Sequence, residues 1–185
     1  FGDTLLGKFY SGASYQTSWK AIKDADAAIS NPDSLTYLVD SKYDLSVFKY
    51  NALRFGQKKI NFSKHPVTII QIMGSWCPNC LDETNYFKTL HEKYNADGLQ
   101  IVALGFESQK TKRERKKHLR IFSKKAKLPY QVFLAGRASK KEASQRFSML
   151  NKIISFPTTL FVNSKGEIIH IHTGFNGPAT GSIYN

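Results

Sequence analysis

The sequence of 185 residues has few cysteines, few acidic residues and no long apolar run. Its longest apolar stretch, Val67–Met73, is interrupted by Gln71 and is far shorter than the roughly 20 residues that a membrane-spanning helix needs. The sequence therefore predicts no transmembrane helix. Hydrophobic residues make up 41% of the chain, which is enough for one good core and a smaller appendage.

The chain contains only two cysteines, Cys77 and Cys80. A structural zinc site takes four ligands, and the five histidines are not spaced like the partners of a Cys-x-x-Cys zinc finger. A disulfide across so short a loop would constrain the unfolded chain little, so it would contribute little stability. We therefore expect a redox-active dithiol, and we favour it over a zinc site or a structural disulfide.

The two cysteines fall where a strand passes into a helix. Val67–Met73 is predicted as a buried strand, and apolar residues from Leu81 to Tyr94 follow with helical spacing. The first turn of a helix has unpaired N–H groups and the positive end of the helix dipole, and both favour an anion. The attacking species in disulfide exchange is a thiolate, and this setting lowers the pKa of a thiol. Cys77 is predicted to attack and Cys80, one turn further on, to resolve.

Acidic residues are scarce, 14 against 27 lysines and arginines, so the formal net charge is +13. The excess lies in two predicted helical segments, Lys110–Lys127 and Arg137–Lys152. Such surfaces attract acidic partners or anionic lipid, so a peripheral or anchored membrane association through parts outside this sequence stays open. No nucleic-acid-binding motif accompanies the charge, and we therefore predict no nucleic-acid partner.

The rest of the sequence has the pattern of an α/β protein. Leu99–Phe106 is predicted as a second interior strand, which gives a parallel βαβ unit with the cysteine-bearing helix as its crossover. Capping boxes beginning at Thr111 and Ser139 open the two basic helices. Further strands are predicted, and the last two of them form an antiparallel hairpin: Ser46–Tyr50, Lys58–Phe62, Tyr130–Leu134, Thr158–Val162 and Ile168–Thr173.

Residues 1–44 are predicted as a lead-in segment that is too small for its own core and packs on residues 45–185. Within it, Ser14 is placed to cap a helix with Trp19, Ile22 and Ile29 on its apolar side. The sequence begins at Phe1 with neither a methionine nor a leader, so we expect a processed or excised piece whose targeting signal lies outside it.

Two histidines, His170 and His172, share one face of the last predicted strand because side chains alternate along a strand. Without a third ligand, such a pair is more typical of a protein surface than of a metal site. No metal site is predicted.

Three motifs occur in a specific order: Trp76-Cys77-Pro78-Asn79-Cys80 after a strand, Phe156-Pro157-Thr158 before a hairpin, and Gly174 at its end. In this arrangement the chain resembles the thioredoxin-like superfamily, specifically its TlpA/ResA-like thiol-disulfide oxidoreductases. The resemblance covers residues from about 45 to the end. It implies a thioredoxin-like α/β fold, with a central mixed sheet flanked by helices and an N-terminal extension. That fold ends in a helix after the last strand, which we expect to be missing from a sequence that stops at Asn185.

The resemblance also implies roles for individual residues. Cys77 matches the exposed nucleophile, Cys80 the buried resolving thiol, and Pro157 a cis-proline that turns backbone toward the dithiol. Glu107 matches a carboxylate beneath the active site that passes protons to and from the resolving thiol. Gln71 stands where thioredoxin has a buried aspartate, so a proton relay is expected to use Glu107 or water. The residues expected to bind substrate are Trp76, Pro78, Phe156 and Pro157.

The function implied by the resemblance is reduction of protein disulfides through a mixed disulfide, in the periplasm or another exported compartment. The implied partners are protein disulfide substrates and a thiol-disulfide electron donor, without a cofactor. A peroxiredoxin-type peroxidase is one alternative, although that chemistry uses Thr-x-x-Cys and Gly74-Ser75-Trp76-Cys77 lacks the threonine. A non-catalytic module that binds a metal or a partner is the other.

Overall fold

The computed structural model describes residues 2–11, 15–28, 31–53, 56–178 and 181. The chain divides into two compact units, Phe1–Ser30 and Asn31–Asn185. Residues 31–44 therefore belong to the larger unit, whereas the packing of the first unit on the core stays a prediction. Among the residues described, no helix is both long and apolar enough to cross a membrane.

The first unit is an antiparallel hairpin of β1 (Thr4–Ser11) and β2 (Tyr15–Ile22). The helix predicted around Trp19 and Ile22 is wrong, because both residues lie in β2. Trp19 pairs with Gly7 across the hairpin, and a Cβ at Gly7 would collide with the indole. The three-residue spacing of Trp19 and Ile22 is therefore not helical. Trp19 lies in a strand, with its ring over Gly7. The predicted cap Ser14 and the apolar residue Ile29 lie outside the described residues.

The second unit forms, in its described part, a seven-stranded sheet in the order β4-β3-β7-β6-β5-β8-β9. Its strands are β3 (Tyr50–Ala52), β4 (Gln57–Lys58), β5 (Val67–Met73), β6 (Leu99–Glu107), β7 (Gln131–Arg137), β8 (Thr158–Asn163) and β9 (Ile168–Thr173). The helices are α1 (Pro32–Leu35), α2 (Pro78–Tyr94), α3 (Lys112–Lys125) and α4 (Lys140–Arg146), with a 3₁₀ turn at Leu45–Val47.

The predicted βαβ unit is confirmed: β5 and β6 pair in parallel, with α2 between them in sequence. Strand β8 pairs antiparallel with β5, and β9 pairs antiparallel with β8, so the sheet is mixed. Both faces of β5 are covered, and Ile70, Ile72 and Met73 have no exposed surface. This is why apolar residues occupy successive positions of the strand rather than alternate ones. The α/β thioredoxin-like class follows from this arrangement.

Two local predictions need correction. The strands expected at Ser46–Tyr50 and Lys58–Phe62 are replaced by the 3₁₀ turn and the short pair β3 and β4. Asp44 causes the first change, because its side chain accepts a hydrogen bond from the N–H of Ser46 and so caps the turn. Ile60 and Phe62 are nevertheless buried in the core, so their apolar character reflected burial rather than strand pairing.

The two basic helices begin differently. The capping box at Thr111 is complete, with Thr111 and Glu114 each accepting from the other's backbone N–H. At the second helix, the hydroxyl of Ser139 accepts from the N–H of Glu142, but the Glu142 carboxylate accepts from the N–H of Arg137 instead. The second predicted box is therefore only half formed. Most basic residues of α3 face solvent, as the sequence predicted.

Gly105 in β6 leaves room for the side chain of Leu119 from α3. A Cβ at this position would lie 2.5 Å from Cδ2 of Leu119, whose side chain is fully buried. Gly105→Ala is therefore expected to lower the free energy of unfolding by roughly 1–3 kcal/mol through overpacking. Urea unfolding of the purified protein measures this loss.

The double variant Gly105→Ala/Leu119→Ala is the matched control. Leu119→Ala alone leaves a cavity, which the new methyl group at position 105 partly fills. The double variant should therefore lose less stability than the sum of the two single variants. Strict additivity would contradict the proposed contact.

Candidate active site

The two cysteines lie at the carboxyl end of β5, an interior strand, where α2 begins. Cys77 is the residue directly before the helix, and Pro78 occupies the first helical position. Proline has no backbone N–H, but at this position an N–H would make no hydrogen bond within the helix. Both thiols are free. Cys77 is partly exposed and Cys80 has no exposed surface. One sulfur is thus accessible to a partner while the other is covered.

The two thiols have opposite acidities. A hydrogen bond from the Cys80 thiol is the main cause that lowers the pKa of Cys77, to about 6, and the N–H groups of Cys80 and Asn79 add to it against the effect of burial. The same hydrogen bond, together with burial, raises the pKa of Cys80 well above its ordinary range. At neutral pH, Cys77 is therefore a thiolate and Cys80 a thiol.

The loop before β8 lies opposite the dithiol. The Phe156–Pro157 peptide bond is cis, and the carbonyl oxygen of Phe156 lies 3.4 Å from Sγ of Cys77. In the protonated form, the Cys77 thiol donates to this oxygen. The Pro157 carbonyl accepts from the N–H of Gly174 at 2.8 Å, which ties the loop to the end of β9. Both Phe156 and Pro157 have buried side chains, so the loop brings a backbone carbonyl to Cys77.

Two contacts hold the Trp76 indole beside Cys77. Its Nε1–H donates to the carbonyl of Phe106 at 2.8 Å, and its ring meets the ring of Phe156 edge to face at 5.7 Å. The indole lies back over Gly74, where a Cβ would collide with it. The side chain remains 45% exposed, and Pro78 is exposed as well. These two side chains therefore offer apolar surface next to Cys77.

Glu83 has a buried carboxylate beside the dithiol, and it was not among the predicted site residues. This residue lies on α2 three positions after Cys80, on the same buried face of the helix. It is 2% exposed, and burial raises its pKa to about 7. The negative charge of Cys77 also raises the pKa of Glu83, and the charge of Glu83 raises the pKa of Cys80. The i,i+3 spacing from Cys80 was the signal that could have identified it.

Hydrogen bonds hold the Glu83 carboxylate between the sheet and α2. One oxygen accepts from the hydroxyl of Thr159 at 2.8 Å, and the other accepts from the side-chain amide of Gln71 at 2.9 Å. The same amide nitrogen lies 3.3 Å from the carbonyl oxygen of Cys80. Gln71 thus joins β5 to the helix that carries both Cys80 and the carboxylate. The expectation that a relay would need Glu107 or water left out this group.

Glu107 is fully buried at the end of β6. Its carboxylate accepts from the N–H of Ser75 at 2.9 Å and from the Ser75 hydroxyl at 2.7 Å. Nδ1 of His118 lies 3.2 Å from the same carboxylate. These contacts join Glu107 to the loop that precedes Cys77. The proton-transfer role expected for Glu107 stays a prediction.

Sequence comparison identifies relatives of this chain. The Redoxin family model matches residues 55–185. The sporulation thiol-disulfide oxidoreductase A of Bacillus subtilis (strain 168) is 27% identical over 106 residues, which are 57% of this chain and 58% of that protein. The thioredoxin-like protein YneN of the same organism is 25% identical over 127 residues, 69% of this chain and 68% of that protein. The first of these alignments spans less than two thirds of the relative.

Solved structures share the fold at low identity. The crystal structure of StoA from Bacillus subtilis superposes with a TM-score of 0.51 at 24% identity, covering 70% of this chain and 89% of that one. A thiol:disulfide interchange protein of the thioredoxin family from Chlorobium tepidum TLS gives a TM-score of 0.55 at 15% identity, covering 76% and 92%. The chain belongs to the Redoxin family and is a TlpA/ResA-like protein of the thioredoxin-like superfamily.

Proposed function

We propose that this protein is a thiol-disulfide oxidoreductase that reduces disulfides of protein substrates and is itself reduced again by a thiol-disulfide donor. The observation that carries the proposal is the pairing of a partly exposed Cys77, whose pKa is about 6, with a buried Cys80 hydrogen-bonded behind it. Following the family resemblance, we propose an exported compartment such as the periplasm, where substrate disulfides persist.

In the first step, the Cys77 thiolate attacks one sulfur of a substrate disulfide. A bond forms between the two sulfurs while the substrate's own S–S bond breaks, and its second sulfur leaves as a thiolate. The backbone at Phe156 and Pro157 holds the substrate chain, and the exposed faces of Trp76 and Pro78 contact its apolar side chains. The 3.4 Å separation of the Phe156 carbonyl from Cys77 supports this placement.

In the second step, Cys80 loses its proton and attacks the sulfur of Cys77. The Cys77–Cys80 bond forms, the mixed disulfide breaks, and the first substrate sulfur leaves as a thiolate. Forming the mixed disulfide removes the charge of Cys77, and with it one cause that raises the pKa of Glu83. A carboxylate whose pKa lies near neutrality is suited to accept the Cys80 proton and to return it later. We assign this role to Glu83 instead of Glu107, the residue that the family resemblance implied.

Insulin reduction with a dithiol donor tests the proposal. The wild-type protein is expected to turn over insulin disulfides, Cys77→Ser to lose the activity, and Cys80→Ser to accumulate a mixed disulfide that mass spectrometry detects. Wild-type turnover no faster than that of Cys77→Ser would contradict the proposal. Rapid consumption of hydrogen peroxide without insulin reduction would instead favour the peroxidase alternative.

The pH dependence of Cys77 alkylation tests the hydrogen bond from Cys80. The thiolate fraction rises with pH, so iodoacetamide should modify Cys77 with a midpoint at about pH 6. Cys80→Ala removes the largest cause of the lowered pKa, and the midpoint should rise toward the ordinary thiol value of about 8.5. The matched control Cys80→Ser keeps a donor and should show a smaller rise. A midpoint that stays at about pH 6 in both variants would show that the N–H groups at the start of α2, and not the Cys80 thiol, set the acidity.

Glutamine variants of the two buried glutamates test which of them transfers the proton. Glu83→Gln should slow release of the mixed disulfide by roughly a hundredfold. It should also abolish the rise of that rate with pH, whose midpoint lies below about 7 because the mixed disulfide lacks the charge of Cys77. Glu107→Gln keeps an oxygen that accepts from Ser75, so its rate should keep the wild-type pH midpoint. A pH profile altered by Glu107→Gln and not by Glu83→Gln would reverse the assignment.

The Glu83→Gln variant should also change how the stability of the protein depends on pH. The pKa of Glu83 is raised on folding, so the folded state favours its proton, and stability falls as pH rises from its ordinary pKa through about 7. Replacing Glu83 by glutamine removes this loss. Urea unfolding at about pH 5 and about pH 8 should therefore give closer stabilities for Glu83→Gln than for the wild-type protein. An unchanged difference would mean that Glu83 is not a carboxylate of raised pKa.

A further inference from the structure

A cluster of possible metal ligands lies outside the dithiol site, where α1 meets the edge strand β9. We propose that Asp33, His170 and His172 form a binding site for a divalent transition-metal ion of the zinc type. One ligand atom from each residue lies within 4.8 Å of the other two. In the sequence, His170 and His172 are a pair without a third ligand. The third ligand is Asp33, which lies 139 positions before His172.

Both elements position these side chains. The alternation of β9 puts His170 and His172 on one face, and the His170 ring packs against the ring of Phe161 at 5.3 Å. Asp33 lies in the first turn of α1, where its N–H donates to the side chain of the cap Asn31 at 3.0 Å. A hydrogen bond of 2.9 Å between the buried hydroxyls of Thr173 and Thr36 fixes α1 to the end of β9. The three ligands are thus held by backbone and buried contacts.

The distances suit a small ion after a minor adjustment. Oδ1 of Asp33 lies 3.4 Å from Nε2 of His170 and 2.7 Å from Nδ1 of His172. Around a tetrahedral zinc ion with bonds of about 2.0–2.1 Å, ligand atoms lie about 3.4 Å apart. The first separation already matches, and the second opens when the hydrogen bond from His172 is exchanged for a metal bond. The side chains are 31–48% exposed, so they are free to rotate by this amount.

The donor set decides the class of ion. Two imidazole nitrogens and one carboxylate oxygen suit Zn²⁺, Cu²⁺ or Ni²⁺ better than Ca²⁺ or Mg²⁺, which prefer oxygen ligands. The site faces solvent, so a water molecule would complete four-coordination. Because its ligands come from α1 and β9, a bound ion joins the segment after Ser30 to the edge of the sheet. This site uses neither cysteine, so the proposal does not depend on the proposed redox function.

Calorimetric titration with Zn²⁺ tests the proposal on the full chain with Cys77 and Cys80 oxidised to a disulfide, so that no thiolate competes for the metal. We expect one ion per chain. His170→Ala and Asp33→Asn should each weaken binding at least about tenfold, and His91→Ala, a histidine outside the cluster, should leave it unchanged. Absence of saturable binding, or equal affinity in Asp33→Asn and wild type, would overturn the site.

Asp33→Asn also separates metal binding from a simple hydrogen bond. Asparagine keeps an oxygen that accepts from His172, so it preserves the docking of α1 while it removes the charge that the metal needs. A second readout needs no variant: in the NMR spectrum of the wild-type protein, Zn²⁺ should shift the imidazole resonances of His170 and His172 and leave those of His91 in place. Shifts confined to other histidines would refute the assignment.

Discussion

The hydrogen bond between the two cysteine side chains is the interaction on which the candidate active site depends. It favours the anion at Cys77 and the proton at Cys80, so the two thiols ionise in a fixed order. This order requires one accessible sulfur and one covered sulfur in contact. The start of α2 provides both, because residues three apart on a helix are neighbours and the first turn supplies free N–H groups to the outer sulfur.

Much of this arrangement follows from local sequence. Apolar residues occupy successive positions of β5 and β6 because both faces of this parallel pair are covered, so the βαβ unit around Cys77 was predictable. Other features depend on partners distant in sequence. Trp19 belongs to a strand because Gly7 opposite leaves room for its ring, and Asp33 meets His172 only through the docking of α1. Neither pairing has a sequence signal at either partner alone.

Glu83 was missed for a different reason. The superfamily comparison directed attention to the strand position that thioredoxin fills with aspartate, and Gln71 at that position does not titrate. The structure has a carboxylate beside it, contributed by the helix, and Gln71 donates to that carboxylate. On α2, Cys80, Glu83 and Thr84 share the inner face. Their helical spacing can be read directly from the sequence. In this chain, helical spacing from Cys80 is therefore a better guide to the buried carboxylate than the position on the strand.

The neutral Gln71 also affects the pKa of Glu83. Burial and the charge of Cys77 raise the pKa of Glu83, whereas hydrogen bonds from Thr159 and Gln71 lower it, and the balance lies at about 7. An aspartate at position 71 would add a second acid beside Glu83, and like charges in a buried site drive one pKa far upward. It would also remove the amide donor that favours the Glu83 anion. A single carboxylate with a neutral donor thus keeps the proton exchangeable at neutral pH.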